Sequence, residues 1–209
     1  MDKIEVVYVT SNAHKRAENA AFLEQAVLSD GRRVADVFDF TFESVDVKET
    51  LEVELAKMVS QEVRDAYARV LVPCIVEHAG LVFEGHAEYP GGITKAMWKV
   101  LGTRFVEDTN SEGRLVTARA VVAYCDGKSV HTFIGETKGV LRKPVTETSD
   151  AFYWDVAFVP DGEHQSRTYA EIVSEEGLTI KMAEYSQSSK AMLSFLEYRA
   201  KNAPELWRR

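Results

Sequence analysis

The stretch Ile4-Glu5-Val6-Val7-Tyr8-Val9-Thr10-Ser11-Asn12-Ala13-His14-Lys15 decides how the chain is to be read. Ile4 to Val9 is a short apolar run rich in β-branched residues, which favours an extended strand. The polar T-S-N-A-H-K that follows leads into an amphipathic stretch from Ala17 to Val27, so the order is strand, loop, helix. Such a loop presents free backbone N–H groups and the positive end of a helix dipole, which together favour an anion. Thr10, Asn12 and Lys15 are the candidates to hold it, Lys15 by adding a mobile charge. The same residues also suit a plain Ser/Asn helix cap beside a solvated lysine. The loop is not a Walker sequence, which requires Gly-x4-Gly-Lys.

Working outward, Leu51, Leu55, Met58, Val59, Val63 and Ala66 follow helical spacing, which predicts a long helix from about Leu51 to Arg69 with an acidic exposed face. A strand over Leu71 to Val76 comes next. A Gly/Pro-punctuated segment from Gly80 to Gly92 and a helix from Ile93 to Leu101 follow. This alternation starts an α/β pattern. In the second half, Leu115 to Tyr124 and Ser129 to Gly135 form a hairpin about an Asp126-Gly127 turn. Strands at Lys138 to Leu141 and Val156 to Val159 and a last helix from about Ser189 to Ala200 complete the pass. No repeat, low-complexity tract or long linker divides the chain, so residues 1–209 are expected to form one mixed α/β domain.

Lys+Arg 25 against Asp+Glu 33 leave a net charge of -8. That argues against a nucleic-acid polymer as partner, because affinity for a phosphate backbone rests on clustered cations. A small anion held by a few local cations fits. Cys74 and Cys125 both fall in strand-like apolar runs and are expected to be buried, reduced thiols. No apolar run approaches the ~20 residues of a membrane span, and the expectation is a soluble cytoplasmic protein.

Three further stretches carry possible chemistry. In V-E-H-A-G-L, Val76 to Leu81, Glu77 and His78 follow a buried strand, where α/β folds often place ligands. A glutamate there can bind Mg²⁺ with phosphate oxygens, and a histidine can act as a base, although a lone histidine also serves as a structural hydrogen-bonding residue. His78 and His86 lack the spacing of a zinc site. Y-P-G-G-I-T-K, Tyr89 to Lys95, repeats the logic of the first loop, with glycines allowing close approach and Lys95 on the next helix. Two lysine-bearing loops suggest a polyphosphate. A-F-Y-W-D, Ala151 to Asp155, offers three aromatics that would alternate faces in a strand, some for the core and at least one for stacking on a base.

Together these stretches resemble the inosine triphosphate pyrophosphatase family, whose members cut non-canonical purine nucleoside triphosphates to monophosphate and pyrophosphate. The resemblance spans nearly the whole chain. Its carriers are V-Y-V-T-S-N-A-H-K, V-E-H-A-G-L with Y-P-G-G-I-T-K, G-E-T-K-G at Gly135 to Gly139, A-F-Y-W-D-V-A-F-V-P-D-G, and T-Y-A-E at Thr168 to Glu171. It implies an elongated α/β fold with a long, curved mixed sheet, flanking helices and a cleft between two lobes, usually in a homodimer. It also implies that Asn12 and Lys15 hold phosphates and that Lys95 reaches the nucleotide from the second lobe. Glu49, in V-D-V-K-E, and Glu77 would be the ligands of Mg²⁺ or Mn²⁺. Phe152 would stack on the base, with Trp154 and Asp155 shaping the pocket.

The chain departs from the family pattern at several positions. The second residue of the family's acidic pair, assigned to metal binding or to activating the attacking water, is His78 here. A neutral imidazole can accept a proton but brings no negative charge to a metal. The family's Ser-His-Arg near the C-terminus, which reads the 6-keto group of the purine, appears as Ser186-Gln187-Ser188. The glycine usual between the aromatic and the Trp/Tyr-Asp is Tyr153, which would reshape the base pocket. The segment from Glu171 to Ser186 is longer than the family's, so no motif places the family's pocket lysine, and Lys181 is the candidate. Two readings therefore stand side by side. One is a diverged nucleoside triphosphate pyrophosphohydrolase in which His78 assists the water. The other is a nucleotide-binding or regulatory protein of the same fold, or another nucleotide hydrolase with base specificity set by Gln187 and Tyr153; Gln187 and Ser188 are further candidates to contact the nucleotide.

Overall fold

The computed structural model describes residues 3–48, 50–144, 152–162 and 166–203. Six strands form one mixed sheet in the order β2-β1-β3-β4-β5-β6. They are β1 (Ile4–Val9), β2 (Phe38–Glu43), β3 (Cys74–Phe83), β4 (Leu115–Cys125), β5 (Val130–Leu141) and β6 (Phe158–Pro160). β1 runs parallel to both β2 and β3, and the remaining pairs are antiparallel. The main helices are α1 (Ala13–Leu23), α2 (Leu55–Val70), α3 (Thr94–Leu101), α4 (Tyr169–Glu176) and α5 (Gln187–Lys201). The expected α/β architecture with a mixed sheet and flanking helices is what the chain adopts.

The position of β1 between β2 and β3 creates the site. The connection through α1 leads to β2, and α1 packs Ala21 and Phe22 with Val6, Tyr8 and Ile75, against a face also covered by Phe195 and Leu196 of α5. The connection through α2 leads to β3 on the other side of β1, and α2 packs Leu55, Val59, Val63 and Ala66 with Val7, Val9, Cys74 and Val76 on the opposite face. The β1-to-β2 and β2-to-β3 connections thus lie on opposite faces of the sheet, with β1 between the two strands they lead to. An open crevice is expected at the carboxyl end of such a strand. A third cluster, around Leu81, Phe83, Trp98, Phe105, Phe158 and Tyr169, fills the far half of β3 to β6.

Several boundaries differ from the sequence reading. α1 starts at Ala13 rather than Ala17 because the Asn12 side chain accepts from the His14 N–H and caps it. It ends at Leu23, and Val27 lies in an isolated bridge to Arg33. α2 starts at Leu55, leaving Leu51 outside it and 80% exposed. β3 runs over Cys74–Phe83 instead of Leu71 to Val76. Leu71 caps α2 with a left-handed φ of 57°, and all ten β3 residues pair with β4. Glu77 and His78 therefore lie in mid-strand rather than after its end. β5 is one strand through G-E-T-K-G, not two. Phe152 to Asp155 do not alternate as a strand. Tyr153–Val156 form a 3-10 turn, and Ala151 lies outside the described residues.

The two cysteines are free and buried, as expected, and face each other in register across β3 and β4. Burial, with Cys125 nearby, pushes the Cys74 thiol up to about 12. Among the described residues no helix is long and apolar enough to cross a membrane.

Candidate active site

β1 pairs with β3 only at Val7 with Cys74 and Tyr8 with Ile75. Beyond that point this edge of β3 is open, and the chain fills it with side chains. Lys15, in the first turn of α1, donates from Nζ to the Glu77 carbonyl. The Leu81 N–H donates to Thr94 Oγ1 at 3.0 Å. Two glycines permit the close packing that carries other elements to this edge. A Cβ on Gly80 would meet the Gly91 carbonyl at 2.3 Å, and a Cβ on Gly135 would meet the Gln187 carbonyl at 2.0 Å. The first absence lets the Gly91–Ile93 turn lie on β3, placing Lys95 in the cleft. The second lets the start of α5, with Gln187 and Ser188, lie on β5.

Because residues alternate along a strand, Glu77 and His78 project to opposite faces of the sheet. Glu77 shares the face of Ile75, under α1 and α5. Its Oε2 lies 2.6 Å from Lys15 Nζ and accepts from the Tyr8 hydroxyl at 3.1 Å, while Oε1 accepts from Ser188 Oγ at 3.2 Å. Burial pushes this carboxyl up, but the charge and hydrogen bond of Lys15, helped by His78 and Tyr8, outweigh it and hold Glu77 below the ordinary carboxylate value. Burial first, and then the Glu77 charge, push the Tyr8 hydroxyl well above its usual value. His78 shares the face of Cys74 and Val76, under α2. Its Nε2 stands 2.6 Å from Glu62 Oε2.

Across the cleft, Lys181 is buried between Asp155 at 2.6 Å and Glu18 at 2.8 Å. Burial opposes its charge, yet the two carboxylates prevail and hold the ammonium well above its ordinary value. Burial outweighs Lys181 at Asp155, where Glu18 adds repulsion, and raises that carboxyl to about 6. Gln187 is buried beside them, its Oε1 accepting from the Tyr169 hydroxyl at 3.0 Å.

Three connected spaces meet at Asn12 and Lys95. The widest, about 570 Å³, is lined by Ser11, His14, Trp98, Phe152 and Tyr153. A second, about 380 Å³, runs along Thr10, Lys15, Asp46, Glu62, Glu77 and His78. A narrow one, about 40 Å³, ends on Asp155, Lys181, Gln187 and Ser188. Phe152 stands at the junction with its ring 5.3 Å from that of His14 and 4.7 Å from that of Tyr153. Tyr153 holds a left-handed φ of 45°. Trp154 borders the narrow space but is 3% exposed, packing on Phe158 and Tyr169, so its ring belongs to the core.

The structure thus brings together Thr10, Asn12, Lys15, Glu77, His78, Lys95, Phe152, Tyr153, Asp155, Gln187 and Ser188. Glu49 lies outside the described residues. Asn12 serves as the α1 cap while lining all three spaces. Among the described residues no group of three or more His, Cys, Asp or Glu side chains is close enough to hold a metal ion. Glu18 and Glu62 escaped the sequence reading. Glu62 carried a signal, being a charged residue on the apolar stripe of Leu55, Met58, Val59, Val63 and Ala66.

The chain is similar to known proteins over most of its length. The inosine triphosphate pyrophosphatase of Kluyveromyces lactis is 29% identical over 203 residues, covering 95% of this chain and 97% of that protein. The dITP/XTP pyrophosphatase of Hyperthermus butylicus is 28% identical over 176 residues, covering 82% and 84%. The structure of a HAM1 protein from Coxiella burnetii shares the fold with a TM-score of 0.64 at 19% identity, over 96% of this chain and 100% of that one. The model of the Ham1 family matches residues 6–198, and the chain belongs to that family.

Proposed function

We propose that the protein is a divalent-metal-dependent nucleoside triphosphate pyrophosphohydrolase that releases a nucleoside monophosphate and pyrophosphate. The observation that carries this reading is the meeting of three spaces of different chemistry at Asn12 and Lys95: one bordered by Lys15, Glu77 and His78, one flanked by aromatic rings, and one ending in polar groups. The triphosphate lies along Asn12, Lys15 and Lys95. The base stacks on Phe152, with its edge toward Asp155, Lys181 and Gln187.

The charges of the cleft support a need for Mg²⁺ or Mn²⁺. Lys15 and Lys181 are already matched by Glu77, Asp155 and Glu18. A triphosphate entering this balanced site meets carboxylates as well as cations, and a divalent ion offsets that repulsion. The donor set fits a hard cation, which takes carboxylate oxygens: Asp46 and Glu77 line the phosphate side. Glu77 and Glu49 are the proposed ligands. When bound, the ion stabilises charge developing on the phosphoryl oxygens and the leaving pyrophosphate.

The chain's own residues supply the remaining steps. Lys15 and Lys95 orient the phosphates, and the aromatic walls beside the base limit water to the phosphate side. A water oxygen bonds to the α-phosphorus as its proton passes to the His78 ring, and the bridging P–O bond breaks to release pyrophosphate. Purified protein incubated with canonical and non-canonical triphosphates, with Mg²⁺, Mn²⁺ and no metal, tests the reading. Pyrophosphate release that Glu77→Gln abolishes is the expected result.

A second reading is favoured by one observation: an imidazole stands where the family pattern has the second carboxylate. It is a nucleotide-binding protein without turnover, and micromolar binding with no product release would establish it. Homodimer formation and a cytoplasmic location are part of the first reading. Sedimentation of the purified protein and cell fractionation check them.

A further inference from the structure

Glu62 is the one charged residue among the buried residues of α2, beside Leu55, Met58, Val59, Val63 and Ala66. Its side chain is 1% exposed. Placing a carboxylate in such surroundings is costly unless a partner compensates it. The contact it makes is with His78, Nε2 to Oε2 at 2.6 Å, while Oε1 has no hydrogen-bond partner among the described residues. The carboxylate is therefore committed to the imidazole. At 2.6 Å an unprotonated ring nitrogen would set its lone pair against those of the oxygen, so the contact requires a proton on Nε2. A neutral ring protonated there keeps its lone pair on Nδ1. Both residues line the space shared with Lys15, Glu77 and Lys95.

We propose that Glu62 is a positioning residue, which fixes the His78 ring and its Nε2–H tautomer so that Nδ1 is the atom that accepts the proton of the attacking water. This rests on the hydrolase reading above. The carboxylate orients the base and does not itself take the proton, the role a buried acid plays in a catalytic triad. Water loses one proton to Nδ1, its oxygen bonds to phosphorus, and pyrophosphate leaves with the electrons of the broken P–O bond. The helix supplies what a loop could not, because packing on both sides of Glu62 restrains its rotamer.

The test pairs Glu62→Gln, which keeps shape and volume, with Glu62→Asp, which keeps charge but shortens the reach. Turnover of inosine triphosphate with Mg²⁺ is measured alongside ring nitrogen NMR shifts of His78 and binding of a non-hydrolysable triphosphate. Glu62→Gln is expected to lower kcat by about 10- to 100-fold, the usual cost of losing a group that orients another. KM and analogue affinity should stay within about 2-fold, and the His78 spectrum should change from a single Nε2–H form to a mixture. Glu62→Asp should recover part of both kcat and the spectrum. Unchanged kcat in Glu62→Gln, or a wild-type ring protonated on Nδ1 or on both nitrogens at the pH of activity, overturns the proposal. If wild-type protein turns over no triphosphate, the hydrolase reading fails on that arm, and the ring spectrum still decides whether Glu62 sets the tautomer.

Discussion

Lys15 Nζ lies 2.6 Å from Glu77 Oε2, an ion pair whose side chains are 13% and 5% exposed. It joins the first turn of α1 to the open edge of β3. Breaking such a pair from one side leaves a charge uncompensated, at about 3–5 kcal/mol for a fully buried pair and less here because Lys15 meets solvent. Glu77→Gln and Lys15→Met should each lower the midpoint of thermal unfolding, and the double variant should recover part of the loss. Glu77 is held below its ordinary value, so its stabilisation is present above that value and lost as pH falls through the lowered one. Acid unfolding curves of wild type and Glu77→Gln should therefore converge at low pH.

Replacing His78 by aspartate creates the acidic pair of the family pattern, but it also faces the buried Glu62 with a like charge. His78→Asp alone should therefore destabilise the protein, because neighbouring buried carboxylates cannot both ionise cheaply. His78→Asp with Glu62→Gln should restore folding, and a rise in inosine triphosphate hydrolysis in that double variant would mark His78 as a substitution at the reacting centre. Circular dichroism melts and pyrophosphate assays on the wild type and these two variants separate the two effects.

Asp155 gives a pH signature of opposite sign. Its carboxyl is raised to about 6 from an ordinary 3.8, so its contribution to stability is present below the ordinary value and lost as pH rises through 6. Relative to Asp155→Asn, the wild-type protein should lose stability as pH rises from 4 to 6. Urea titrations at pH 4, 5, 6 and 7 check this, and parallel curves would show that the charge on Asp155 is matched by Lys181 throughout.

Tyr153→Gly relieves a left-handed backbone that costs a side-chain-bearing residue about 1–2 kcal/mol. It also removes a ring contact to Phe152 worth about 0.5–1.5 kcal/mol. The two nearly cancel, so the unfolding midpoint should shift little. The aromatic end of the cleft opens, and KM for purine triphosphates should change several-fold while kcat changes less. Steady-state kinetics with inosine and guanosine triphosphates measure the split.

How far the sequence disclosed this arrangement depends on the residue. The apolar run of β1, the Asp126-Gly127 hairpin and the stripe of α2 announced themselves through period and turn chemistry. The extent of β3 did not, because its second half, from Ala79 to Phe83, owes its strand state to cross-strand pairing with Val116 to Ala120 of β4. β2 and α4 went unread although each had a local signal: Phe38, Phe40 and Phe42 alternate, and T-Y-A-E contains the Thr168 and Glu171 of a capping box. Most of the cleft was reached through clustered motifs. Glu18 and Glu62 were missed because their partners, Lys181 and His78, lie far off in the chain and only the fold brings them into contact.

The reaction proposed for this cleft splits a nucleoside triphosphate into monophosphate and pyrophosphate. Phosphorus NMR of the products formed from inosine triphosphate by the full chain with Mg²⁺ tests it most directly. Inosine monophosphate and pyrophosphate in equal amounts are the expected products, with none formed when the metal is chelated. Tight binding of the triphosphate with no product, or release of orthophosphate in place of pyrophosphate, would contradict it.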